Sequence, residues 1–129
     1  MRFVVPFLLF GLLATPTQAQ VLQDDPCPGY SGADVIGNID CMLDVLKKED
    51  AALNAIWKQA MANHPSGGDR DIHKQDIRKS QRAWIAFRDL DCEAVSKVGI
   101  PKYWELNRLS CLVAHTRART ATLKYIYVD

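Results

Sequence analysis

The side chains able to do chemistry in this sequence are three histidines, four cysteines, a handful of serines and three close carboxylate pairs. Ser31, Ser66, Ser80, Ser96 and Ser110 sit in no nucleophile-elbow pattern. His64, His73 and His115 share no i, i+4 spacing and no H-E-x-x-H context, so each reads as a solvated histidine and not as a base or ligand. The carboxylate pairs are Asp24/Asp25, Glu49/Asp50 and Asp89/Asp91. Glycoside hydrolysis needs two carboxylates facing each other across a cleft. A chain this short and helical offers no obvious cleft, and the first two pairs read as solvated charge. These residues predict no enzyme, no cofactor and no metal.

Cys27, Cys41, Cys92 and Cys111 are the remaining chemical resource. An even count in a short exported chain reads as two disulfides. The rival reading is zinc, but no C-x₂-C pair exists. Four cysteines allow three pairings, and spacing does not choose among them.

The elements that must carry these residues follow from the apolar pattern. Residues 1–19 read as a signal peptide: Arg2 is the positive start, Val4 to Leu13 the apolar run, and Thr17-Gln18-Ala19 the cleavage site. That run is too short to span a bilayer. Gln20 follows the cut where a lipoprotein would carry cysteine, so no membrane attachment is expected after cleavage, and the protein is expected in the periplasm or medium. Lys and Arg number 16 against 15 Asp and Glu, and losing Arg2 leaves the two signs equal. Nucleic acid is therefore not an expected partner, because it demands a basic excess.

Residues 20–33 hold Pro26, Pro28, Gly29 and Gly32 and read as an irregular leader, with a helical domain over 34–129. Ser31 or Asn38 would cap the first helix, with Asp34 to Gly37 as a separate turn. Its stripe runs through Ile39, Met42, Leu43, Leu46, Leu53, Ile56, Trp57, Ala60 and Met61. Lys47, Lys48, Glu49 and Asp50 interrupt it as a solvated patch. His64-Pro65-Ser66-Gly67-Gly68 is a loop by composition. Asp71 would cap a second helix to Lys97, its stripe made of Ile77, Trp84, Phe87, Ala94 and Val98. Gly99 and Pro101 end it. The third helix covers Lys102 to Tyr127 through Leu106, Leu109, Val113, Thr116, Thr120, Leu123 and Tyr127. Short loops between long helices predict antiparallel neighbours, hence an all-α, antiparallel three-helix bundle with two disulfides.

The densest polar signature is Gln81-Arg82-Ala83-Trp84-Ile85-Ala86-Phe87-Arg88-Asp89, followed by Cys92. Gln81 and Arg88 share a helix face and read as partners for groups on neighbouring helices; Arg88 and Asp89 lie on different faces and are not expected to pair. With Ile77 in front, this segment resembles the central L-x₃-Q-x-A-W-x-x-Y/F-R-D-x-x-C motif of the LprI-type lysozyme inhibitor family, a group of small exported bacterial proteins. Thr116, Arg119 and Leu123 after Cys111 resemble the family's ending, and Leu53-Asn54 before Trp57 its first helix. Gly37-Asn38-Ile39-Asp40 departs from its usual glutamate-rich helix opening.

The resemblance covers about Cys27 to Leu123. It implies a helical scaffold in which Gln81, Trp84, Phe87, Arg88, Asp89, Thr116, Arg119 and Leu123 are scaffold residues. Cys27 and Cys41 resemble the family's amino-terminal cysteine pair, which leaves Cys92 with Cys111 to staple the second helix to the third. It also implies an exported cell-envelope binding protein that inhibits lysozyme by occluding it. The alternative is an interaction, immunity or accessory module for another secreted factor. The anchor-like residues for such binding are Lys102, Tyr103 and Trp104 in the turn after Gly99, since Tyr and Trp are enriched at interface hot spots.

Overall fold

The computed structural model describes residues 26–28, 33–64 and 69–129. The signal reading and most of the leader fall outside them. The described chain is helical: α1 spans Val35–Asn63, α2 Asp69–Ser96 and α3 Trp104–Tyr127, with one 3₁₀ turn at Pro101–Tyr103 leading into α3. No helix among the described residues is long and apolar enough to cross a membrane.

The start of α1 differs from expectation. Asp34 is its cap: the carboxylate accepts a hydrogen bond from the Gly37 amide at 2.9 Å, so Asp34 to Gly37 is the first turn and not a separate one. A short acidic side chain reaches the third amide of a helix and satisfies one of its orphan donors. Asn38 lies inside the helix, its amide donating to the Asp34 carbonyl at 2.9 Å.

Contacts between the helices reveal how they are laid together. Glu49 meets Arg117 and Asn63 meets the Tyr127 carbonyl, so α1 and α3 lie side by side in the same sense. Ser96 meets Asn107, Cys92 joins Cys111, and Gln81 meets Arg119, so α2 runs opposite to α3. The closest packing is between α1 and α3, with α2 laid mainly against α3. The core follows from this arrangement. Cys27, Met42, Leu109 and Val113 form its buried cluster, with Ile39, Cys41, Val45, Leu46 and Leu106 packed around them. Leu53, Ala60, Leu112 and Leu123 are buried further along.

Both disulfides are those expected, Cys27–Cys41 and Cys92–Cys111, with Cα separations of 6.0 and 5.4 Å, inside the bridging range. The first ties the leader to the start of α1. The second ties α2 to α3 around the Gly99 turn.

Two stripes need correction. Glu49 and Asp50 are not a solvated patch: Glu49 pairs with Arg117 on α3 at 2.6 Å and Asp50 with Arg88 on α2 at 3.4 Å. On α2, Phe87 and Val98 are exposed, at 56% and 68%, as is Ala94. The face turned inward is instead Ile77, Gln81, Trp84, Arg88, Cys92 and Ser96. Its polar members can be inward because each meets a partner, and buried polar groups are tolerated on that condition.

Candidate functional site

The family-like segment builds a polar seam between α2, α3 and α1. Its positions at Gln81, Trp84, Arg88 and Cys92 are three or four residues apart, so one helical face carries all four. The Arg88 guanidinium lies where the three helices converge, its side chain 15% exposed. Nη1 donates to the Thr116 hydroxyl at 3.2 Å and to Asp50 at 3.4 Å, and Nε donates to Asp89 at 2.9 Å. Arg88 and Asp89 therefore do pair, against expectation. Adjacent helical positions diverge, but the arginine side chain is long enough to curl back along the surface.

Two guanidiniums lie over the Trp84 ring, that of Arg88 5.2 Å from its centroid and that of Arg119 5.7 Å. Arg119 donates from Nε to the Gln81 Oε1 at 2.9 Å and from Nη2 to the Ser80 hydroxyl at 3.3 Å. These are neutral acceptors, and burial pushes the Arg119 guanidinium below its usual value, partly offset by Tyr127. Thr116 and Leu123 are fully buried. No buried side-chain nitrogen or oxygen among the described residues lacks a partner. Such a network holds the helices in place.

The histidines are less solitary than their spacing suggests. His115 Nε2 is 2.8 Å from Asp91 Oδ2, and Phe87 meets the imidazole edge-on with centroids 5.6 Å apart. Ligand-type atoms of Cys92, Cys111 and His115 lie within 4.8 Å of one another, but the two sulfurs are bonded to each other and neither is a thiolate. At the opposite end His64 and His73 meet edge-on at 5.0 Å, with Tyr127 5.5 Å from His64. The chain reversal after α1 brings these rings together, which sequence spacing does not reveal.

The turn from Val98 to Trp104 projects from the end where α2 passes to α3. Gly99 has φ +80°, a left-handed conformation that glycine adopts without strain. Asn107 donates to the Val98 carbonyl at 2.9 Å and to that of Ser96 at 3.4 Å, and the Trp104 indole donates to the Gly99 carbonyl at 3.4 Å. The carbonyls left over at the end of α2 are thus satisfied and the turn is braced. Val98, Ile100 and Trp104 remain exposed on it, and Lys102 lies 5.6 Å over the Tyr103 ring. Lys102 and Tyr103 thus meet on the turn, while Trp104 folds back onto Gly99. Just behind, Arg108 forks onto Glu105 at 2.7 and 3.0 Å, holding that carboxyl below its ordinary value.

One more concave surface lies between α1 and α2. Asn54 and Trp57 of α1 face Arg78, Gln81, Arg82 and Ile85 of α2 across an open groove. The signal was present in the spacing, since 78, 81, 82 and 85 form an i, i+3, i+4, i+7 set.

The described chain is a helical domain tied by two disulfides. Residues 29–123 match the family described as Lysozyme inhibitor LprI, and the chain belongs to that family. It is similar to the uncharacterized protein R02472 of Rhizobium meliloti (strain 1021), at 32% identity over 96% of this chain and 94% of that protein. It is also similar to the uncharacterized protein YecT of Escherichia coli (strain K12), at 31% identity over 65% of this chain, and the match spans only 59% of YecT. No solved structure matches the chain.

Proposed function

We propose that this protein is an exported, non-catalytic binding protein of the cell envelope that inhibits lysozyme by inserting the Val98–Trp104 turn into the enzyme's cleft. The observation that carries this reading is the braced turn. It combines exposed Val98, Ile100 and Trp104 with hydrogen bonds from Asn107 that hold the backbone. A rigid protruding element binds with less loss of conformational entropy than a mobile one. Membership of the family supports the choice of lysozyme as target. Two disulfides fit a periplasmic or secreted location. The equal charge of the cleaved chain favours a second reading, a module for another secreted factor, because a neutral inhibitor gains little steering toward a basic enzyme.

The test is a lysozyme activity titration with the oxidised chain from Gln20 onward. Stoichiometric inhibition is expected. Trp104→Ala should weaken it by about 30-fold, the scale of an interface hot spot. Ile100→Asp, at an exposed position, should weaken it without altering the thermal transition. Absence of inhibition at large excess, with recovery of another envelope protein, would favour the second reading.

A further inference from the structure

The groove between α1 and α2 lies apart from the braced turn and carries its own chemistry. Its charged lining residues, Arg78 and Arg82, are both cations. Neither makes an ion pair within 4.0 Å among the described residues. Acidic residues close in sequence to the lining are already engaged: Asp76, two residues before Arg78, by Lys79, and Asp50, four residues before Asn54, by Arg88. A third guanidinium, Arg119, stands behind the groove and grips the Gln81 carbonyl oxygen. That bond turns Gln81 so that its amide donors are the end left for the groove. Gln81 is 8% exposed, yet no buried nitrogen lacks a partner, so this amide reaches solvent where Gln81 lines the groove. Asn54 adds a second amide from the opposite wall, and half-buried Trp57 adds an aromatic ring.

We propose that this groove binds a carboxylate-bearing saccharide, with Arg78 and Arg82 taking the carboxylate, Trp57 stacking on a sugar ring, and Asn54 and Gln81 bonding its hydroxyls. Guanidinium groups match carboxylate geometry by paired N–H donors. An aromatic ring beside amide groups suits a sugar, which has an apolar C–H face and a hydroxyl rim. An acidic protein side chain would use the arginines and leave the rest idle. The length fits as well: from Arg78 to Ile85 the helix rises about 10 Å, the span of about two sugar rings. The inference stands whether or not the turn inhibits lysozyme.

Calorimetric titration of the oxidised chain with a short oligogalacturonate, and with the same oligomer methyl-esterified, tests it. The acid form should bind, and esterification should weaken binding by about tenfold or more, since the charge-assisted bonds are lost. Arg78→Gln with Arg82→Gln should weaken the acid form by a similar factor while leaving the thermal transition unchanged, because both side chains are exposed. Trp57→Phe should lower affinity several-fold and remove the ligand-induced change in tryptophan fluorescence. The proposal is overturned if ester and acid bind alike, if the double arginine variant binds as the parent does, or if no binding occurs at millimolar ligand. Tighter binding of a tetraglutamate peptide would also overturn it, assigning the groove to a protein partner.

Discussion

The two helix contacts in this molecule are built from different materials. Between α1 and α3 the buried side chains are Met42, Leu53 and Ala60 against Leu109, Val113 and Leu123. On α2 the buried side chains are mostly polar or sulfur-bearing, Gln81, Cys92 and Ser96 beside a single aliphatic one, Ile77, with Thr116 of α3 opposite and Arg88 and Arg119 reaching across. The first contact draws its stability from removing apolar surface from water, which is non-directional and tolerates small shifts. The second rests on a disulfide and on hydrogen bonds that each need a particular partner. Polar contacts of that kind add little net stability, but losing one partner leaves the other stranded. They therefore hold the position of α2 more than they hold the chain folded.

The contrast can be broken most severely on the apolar side. Leu109 is fully buried in the cluster with Met42 and Val113. Leu109→Ala should cost about 4 kcal/mol, the sum of lost transfer energy and the cavity left behind, read from urea unfolding. On the polar side the effect should be smaller. Arg88→Ala removes the partner of Asp50, Asp89 and Thr116. Because both carboxylates stay partly hydrated, the loss should be about 1–2 kcal/mol. Arg88→Met, which keeps a side chain against Trp84, should recover part of it. If Arg88→Ala costs as much as Leu109→Ala, the seam is a main source of stability and the distinction fails.

The smallest effect lies outside both contacts. The Arg108 hydrogen bonds hold the Glu105 carboxyl below its ordinary value, against a small opposing cost of burial. A carboxyl whose folded value is depressed stabilises the protein above its unfolded value, and that contribution fades as pH falls through the folded value. Glu105 is largely exposed, so water screens the pair. Glu105→Gln should lower stability by a few tenths of a kcal/mol at neutral pH and by nothing at strongly acidic pH. Thermal melts of parent and variant across that range would check it.

Much of the architecture was legible in the residue pattern, for identifiable reasons. α1 and α3 carry mainly apolar lines at helical spacing, broken in α1 only at Lys47 to Asp50, and these lines mark Met42, Leu53, Leu109, Val113 and Leu123 as interior, as the structure has them. Gly99 and Pro101 marked the break between α2 and α3, because a left-handed residue and a missing amide end helices in any context. The disulfide pairing came from the resemblance and not from spacing. On α2 the buried face departs from the apolar pattern because the helix has two candidate lines. Phe87, Ala94 and Val98 make the more apolar one, yet it faces water, while Gln81, Arg88 and Ser96 turn inward.

The sequence by itself determined the three helices, the break between α2 and α3 and the apolar halves of the interior, since these depend on local dihedral preference and on the periodicity of side chains within one segment. Only the tertiary structure decided which face of α2 is buried, that Glu49 and Asp50 serve as partners, that His115 meets Asp91, and that Arg78 and Arg82 look across a groove at Trp57. Each of those depends on groups far apart in the chain meeting within a few ångströms, and the energy of a polar contact is set by the partner, not by the residue alone.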